Sequence, residues 1–261
     1  MKLSDKYGLR IFSLLLCAML YVCCIKEERG ECPCRLIVDL AEVDSASISS
    51  VDIQLTCKDG FVHKEKRHAD SYDEEDIISV PQEEIFLNVC YGDNGMMNPD
   101  GLLIPEDSDC PPVYLYSTLV DASDREFVRK VVKMRKNHCV MKIYVEGDGF
   151  PFDVTLKGNV CGYDASGCPV PGAFRYSPDE VGDSAYTVVL PRQLDSSLLL
   201  EVNDGSDVLK VFALGEYIKA CGYDWTEDDL QDLTVGIDYA RTQIVITVKG
   251  WDEVYEFDIV I

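Results

Sequence analysis

Val51-Asp-Ile-Gln-Leu-Thr-Cys57 alternates apolar and polar residues without a break: Val51, Ile53, Leu55 and Cys57 on one side, Asp52, Gln54 and Thr56 on the other. Successive side chains of a β-strand point to opposite faces, so this stretch reads as a strand with one face in a core and one in water. The same period recurs along the chain. Ile85, Leu87, Val89 and Tyr91 repeat it, as do Phe152, Val154 and Leu156, then Tyr186, Val188 and Leu190. Leu233, Val235, Ile237 and Tyr239 form another face and Ile244, Ile246 and Val248 another, before the closing run Tyr255, Phe257, Ile259 and Ile261. Helical spacing is scarce. Leu214 to Cys221 suits a short helix closed by Gly222, and Thr226 with Asp229 resembles a capping box before Leu230. Many short strands between turn signals predict an all-β protein of sandwich type with short helical connections.

The composition breaks at Glu146-Gly-Asp-Gly-Phe-Pro151, which leaves two alternating segments of similar size. Two β-sandwich domains are therefore expected, over 34–146 and 150–261. Two stretches read as long solvated loops: Lys64 to Glu84, which is acidic and polar, and Gly92 to Pro112, rich in Gly, Asn, Asp and Pro. Neither has the D-x-[DN]-x-[DN]-G spacing of a calcium loop.

Ahead of the strands stands an export signal. Lys2, Lys6 and Arg10 precede the apolar run Ile11 to Val22, which is too short to span a bilayer and suits a signal-peptide core. Cys23 and Cys24 follow at once. A signal peptide ending at cysteine marks a bacterial lipoprotein, in which the thiol takes a diacylglycerol and the chain is cut before it. A small residue is preferred before the modified cysteine, so Cys24, preceded by Cys23, fits better than Cys23, preceded by Val22. Residues 1–23 are then a lipoprotein signal peptide and 24–33 a polar, lipidated tether.

Lys and Arg number 24 against 47 Asp and Glu, a net charge of −23. Removing Lys2, Lys6, Arg10 and Asp5 with the signal peptide leaves 21 against 46, or −25. Such a surface repels phosphate backbones, so nucleic acid is not expected as a partner. The one basic run, Arg125 to Lys136, alternates with Val128, Val132 and Met134 and reads as a solvated strand face rather than an anion site. Nine cysteines follow Cys24. None pairs in C-x-x-C spacing, and an odd number leaves at least one free even in an oxidising compartment.

Catalytic signatures are missing. The chain has no G-x-S-x-G, no P-loop, no G-x-G-x-x-G and no H-E-x-x-H, and its three histidines are His63, His68 and His138. His138 and Cys139 are neighbours on a strand and point to opposite faces, so they make no dyad. No enzyme, cofactor or metal site is expected.

Cys24-Ile-Lys-Glu-Glu-Arg-Gly-Glu-Cys-Pro-Cys-Arg-Leu36 opens a series of segments that includes Asp109-Cys-Pro-Pro-Val-Tyr-Leu-Tyr116 and Lys136-Asn-His-Cys-Val-Met-Lys-Ile143. Gly158 to Asp164, Gly172 to Pro178, Leu214 to Ile218, Gly222 to Thr226 and Gly250-Trp251 continue it. Their order resembles that of the FimB-type fimbrial anchor subunits of Bacteroidetes. The resemblance implies two tandem transthyretin-like β-sandwiches in an outer-membrane lipoprotein at the base of a fimbrium, holding the fibre through its stalk subunit and limiting its length. Lys26-Glu27-Glu28 looks like the signal that sends such lipoproteins to the cell surface. Cys110 and Cys139 each flank an expected strand inside matched segments, so a disulfide between them is expected; the loop it closes would be worth roughly 3–4 kcal/mol. The competing expectation is a lipid-anchored surface or tip adhesin for host protein or glycan, with its cleft in the 92–112 loop.

Overall fold

The structure, a computed structural model, describes residues 32–92, 101–146, 152–181, 185–238, 243–248 and 254–258. Nearly all of them are in strands or turns, and the all-β expectation holds. The first half supplies β1 (Cys34–Asp39), β2 (Ser50–Thr56), β3 (Val62–His68), β4 (Ile77–Val80), β5 (Glu84–Gly92), β6 (Gly101–Leu103), β7 (Val113–Asp121), β8 (Phe127–Val131) and β9 (Arg135–Lys136). Apart from β6 these form two sheets, in the orders β3-β2-β5-β7-β9 and β4-β1-β8. Leu36, Val38 and Ile78 of the smaller sheet meet Val51, Ile53, Leu55, Ile85 and Leu87 of the larger in one core. The period of two that opens the sequence analysis is the period of this burial: Val51, Ile53 and Leu55 are buried while Asp52, Gln54 and Thr56 are not.

The second sandwich comprises β10 (His138–Glu146), β11 (Asp153–Asp164), β12 (Pro169–Tyr176), β13 (Ala185–Pro191), β14 (Leu199–Asp204), β15 (Asp207–Phe212), α1 (Leu214–Ala220), β16 (Leu233–Asp238), β17 (Gln243–Val248) and β18 (Val254–Asp258). Its sheets run β13-β10-β16-β17-β18 and β12-β11-β14-β15, with β6 added to β11. Met141, Ile143, Val188 and Val235 face Val154, Leu156, Leu200 and Val202 across its core. Helix α1 adds Leu214 and Ile218 to that core, and Gly222, at φ +82°, ends it as the sequence predicts.

Strand β10 pairs with β13 and β16, and the Gly-Pro break at 146–151 falls between β10 and β11, which lie in different sheets. Two expectations are corrected. The stretch 64–84 is no continuous loop: it holds most of β3 and all of β4. Strand β3 is a sheet edge whose inward positions His63, Glu65 and Arg67 are polar, so no apolar period betrays it. Thr226 and Asp229 cap no helix. Thr226 instead bonds Asp224 at 2.8 Å, and Asp229 accepts the Lys136 backbone N–H at 2.7 Å.

Strand β6 leaves the first half of the chain to lie against β11 through two glycines. A Cβ on Gly162 would stand 2.0 Å from the Leu102 carbonyl oxygen, and one on Gly101 would stand 2.2 Å from that of Tyr163. Gly162→Ala should therefore detach β6 at a cost of about 1–3 kcal/mol. Amide exchange of Leu102 and Ile104 measures it, and protection equal to wild type would contradict the crossing.

Candidate functional site

The two sandwiches are joined by a link of a single residue, with a network of polar contacts around it. Strand β9 ends at Lys136, β10 begins at His138, and Asn137 between them is buried. Its N–H donates to the Val113 carbonyl at 2.9 Å, its Nδ2 to the Arg135 carbonyl at 3.1 Å, and its own carbonyl accepts the Tyr163 hydroxyl. Arg192, at the end of β13, donates through Nε to the Asn137 Oδ1 at 3.2 Å and through its terminal nitrogens to the Trp225 and Asp228 carbonyls. Burial pushes the Arg192 pKa below its ordinary value. The His138 ring lies edge-on to Tyr114, its Nδ1 3.1 Å from both the backbone N and O of Val113. Burial lowers its pKa to about 4, so the ring is neutral near pH 7.

Strand β7 works on both sides of this link. Tyr114 and Tyr116 pack on the first core, whereas Val113 and Leu115 belong to the second. A second bolt is Asn88, whose Nδ2 donates to the Ala165 carbonyl at 2.6 Å while its Oδ1 accepts the Ser117 hydroxyl at 3.2 Å. These contacts tie the two sandwiches to each other.

The basic run proves to be a seam. Five of its six cations meet carboxylates: Arg125 with Asp121 (3.7 Å), Arg129 with Asp39 (2.9 Å) and Glu75, Lys133 with Glu42 (3.4 Å), Arg135 with Asp228 (2.9 Å) and Lys136 with Asp232. The last two pairs cross from the first sandwich to the second. A cleft of about 630 Å³ opens beside them, with Tyr114 and Lys136 facing Asp44, Asp229, Gln231 and Asp232. Burial first, then the nearby carboxylates, raise the Tyr114 pKa.

Of the residues singled out from sequence, Cys24, Lys26, Glu27 and Glu28 lie outside the described residues, as does most of the 92–100 stretch. Cys110 and Cys139 are free thiols in the second core, so the expected bridge is not formed. Burial raises both pKa values, that of Cys139 to about 12, which leaves them inert small hydrophobes. The histidines do not converge: His63 bonds Glu65 at 3.2 Å in the edge strand β3, far along the fold from buried His138. Among the described residues no three His, Cys, Asp or Glu side chains gather as a metal ion requires.

An unpaired sheet edge can accept a strand from another chain. Strand β13 is covered: the Val189 N–H donates to the Asp109 Oδ1 at 2.8 Å and its carbonyl accepts the Cys110 N–H at 3.2 Å. Strand β12 carries Pro169 and Pro171, and β3 carries Lys64 and Lys66. Strand β18 pairs with β17 and sets Phe257 5.3 Å from Tyr217 of α1, so it completes its own sheet. Strand β15 is an edge as well, as are β4, β8 and β9, and it carries Val208, Leu209 and Val211 about half exposed.

No protein-family model matches the chain, and no curated protein sequence does. Solved structures do. A protein of Bacteroides thetaiotaomicron described as a candidate polysaccharide-binding protein is 12% identical with a TM-score of 0.65, over 86% of this chain and 98% of that one. The fimbrial anchor protein Mfa2 of Porphyromonas gingivalis is 14% identical with a TM-score of 0.60, over 84% and 98%. A candidate adhesin of Bacteroides ovatus is 14% identical with a TM-score of 0.57, over 89% and 97%. At these identities the likeness is one of fold, and it covers both sandwiches.

Proposed function

We propose that the chain is an outer-membrane lipoprotein that holds the base of a fimbrium at the cell surface and limits its length. The observation that carries the reading is the apolar run ending at Cys23-Cys24, ten residues ahead of Cys34 and the central strand β1. A lipid on Cys24 would pull on the middle of a sheet, and the bolted junction at Asn137 would pass that load to the second sandwich. The ordered motifs shared with fimbrial anchor subunits, and the fold shared with a named fimbrial anchor, support the same reading. The stalk subunit needs a joint but no catalysis. Main-chain pairing along an open edge such as β15 supplies one with many hydrogen bonds. Lys26, Glu27 and Glu28 take the role of the surface-export signal.

A second reading, a lipid-anchored adhesin, draws on the cleft at the junction, where Tyr114 stands among carboxylates and Gln231 as a polar ligand such as a glycan requires. The two separate in a deletion strain. Loss of an anchor leaves assembled fibres shed into the medium, and loss of an adhesin leaves cell-bound fibres that no longer attach. Complementation with Cys24→Ala should keep the fibres in the medium and abolish palmitate labelling. Normal cell-bound fibres in the deletion strain would end the anchor reading.

A further inference from the structure

The three-stranded sheet β4-β1-β8 has an outward face unlike the rest of this acidic surface. Its register sets Arg35 of β1 between Ser79 and Phe127, Ile37 between Ile77 and Arg129, and Asp39 beside Val131. Phe127 is 53% exposed, Ile77 54% and Val131 36%, and none of the three belongs to the core beneath. Ile37 lies in their midst, nearly buried yet also outside that core. The three strands bring Arg35, Arg129 and Asp39 to this face. Arg129 meets both Asp39, at 2.9 Å, and Glu75, so these four charges cancel on a chain of net charge −23, and Asp124 and Glu126 share a hollow with Arg35 at the rim.

Its position follows from covalent geometry. Eight peptide steps separate Cys24 from Cys32, and a fully extended chain covers at most about 3.6 Å per step, or roughly 29 Å. The tether runs directly into β1, the middle strand of this sheet. Whatever holds Cys24 therefore holds this sheet within about 29 Å.

We propose, resting on the lipid anchor inferred above, that this face lies on the bilayer surface that holds the lipid. Phe127, Ile77 and Val131 enter the headgroup zone. Exposed aromatic and aliphatic side chains on a face whose strand charges cancel suit that interface, where buried apolar area drives docking. Docking orients the molecule: the second sandwich, with edge β15, projects away from the membrane toward a partner.

The test uses the lipidated full chain in vesicles of phosphatidylethanolamine with one quarter phosphatidylglycerol, with and without brominated acyl chains. Phe127→Trp places a reporter on the face. Val62→Trp places one on β3, an equally exposed site of the other sheet (58% for Val62). The emission that Phe127→Trp adds over wild type should fall by about two-fold or more in brominated vesicles, and that of Val62→Trp should not change. Ile77→Glu introduced with Phe127→Trp should reduce the quenching while flotation with the vesicles persists. A floating protein with no quenching at position 127, or with equal quenching at both positions, overturns the docking. So does a reporter at 127 that turns blue only on self-association, because the face then belongs to a second copy. Failure to float rejects the lipid anchor itself, a separate outcome.

Discussion

Arg192→Ala is expected to destabilise the protein by about 3 kcal/mol or more. The side chain donates to three acceptors at once, the Asn137 side chain and the Trp225 and Asp228 carbonyls, while its backbone N–H donates to the Tyr163 hydroxyl at 2.8 Å. Truncation leaves those acceptors unpaired in a half-buried site, and an unpaired buried polar group costs about 1–3 kcal/mol. Arg192→Lys should recover little, because an ammonium on a flexible stem cannot reproduce the planar fork that reaches three separate oxygens. The midpoint of chemical denaturation, followed by tryptophan fluorescence, measures the loss. A shift of under about 0.5 kcal/mol would show that the junction is not held through this residue.

Stability between pH 4 and 6.5 should be the difference of two opposed titrations, and single substitutions should expose each. His138 titrates near 4 in the folded chain, below its ordinary 6.5, because burial disfavours the charged ring. The unfolded chain then binds the extra proton, so this stability is full above pH 6.5 and is lost as pH falls toward 4, by about 3 kcal/mol in all. Asp109 is raised to about 6, first by burial, against the N–H groups of Val189 and Cys110 that it accepts. Its folded form holds the proton more tightly, so stability is lost as pH rises from about 4 to 6; its partial exposure limits the effect to about 1 kcal/mol. Asp39, Asp121 and Asp224 are held below the ordinary range, first by backbone N–H donors, so their contribution fades only at still lower pH. Asp109→Asn keeps an oxygen for the Val189 N–H. It should gain stability at pH 7 and then lose it steadily on acidification. His138→Gln should show the reverse slope. Parallel pH profiles for the two variants would refute the assignment.

The strand faces were legible because burial follows chemistry residue by residue. Leu233, Val235 and Ile237 are buried while Thr234, Gly236 and Asp238 are not, as alternation alone predicts. The helix before Gly222 was legible because its end needs a residue tolerant of positive φ. Strand β3 was not, since an edge strand with polar positions on both faces has no apolar signal. The junction was not legible either. Asn137, Tyr163, Arg192 and Trp225 are far apart in the chain, and nothing in their local sequence distinguishes them from surface polar residues or ordinary core aromatics. Cys110 and Cys139 share a core as their placement beside strands suggested, but buried thiols serve there as hydrophobes.

What the sequence determined by itself is local: period-two burial, and hence the all-β class. What the tertiary structure decided is pairing. Which strand joins which sheet depends on hydrogen bonds between backbones of any sequence, and those carry no residue code. That is why β10 lies with β13 and β16 rather than with the strands before it. Only pairing, too, set the basic run beside its carboxylates and gathered Arg35, Ile77 and Phe127, from three separate segments, onto one outward face.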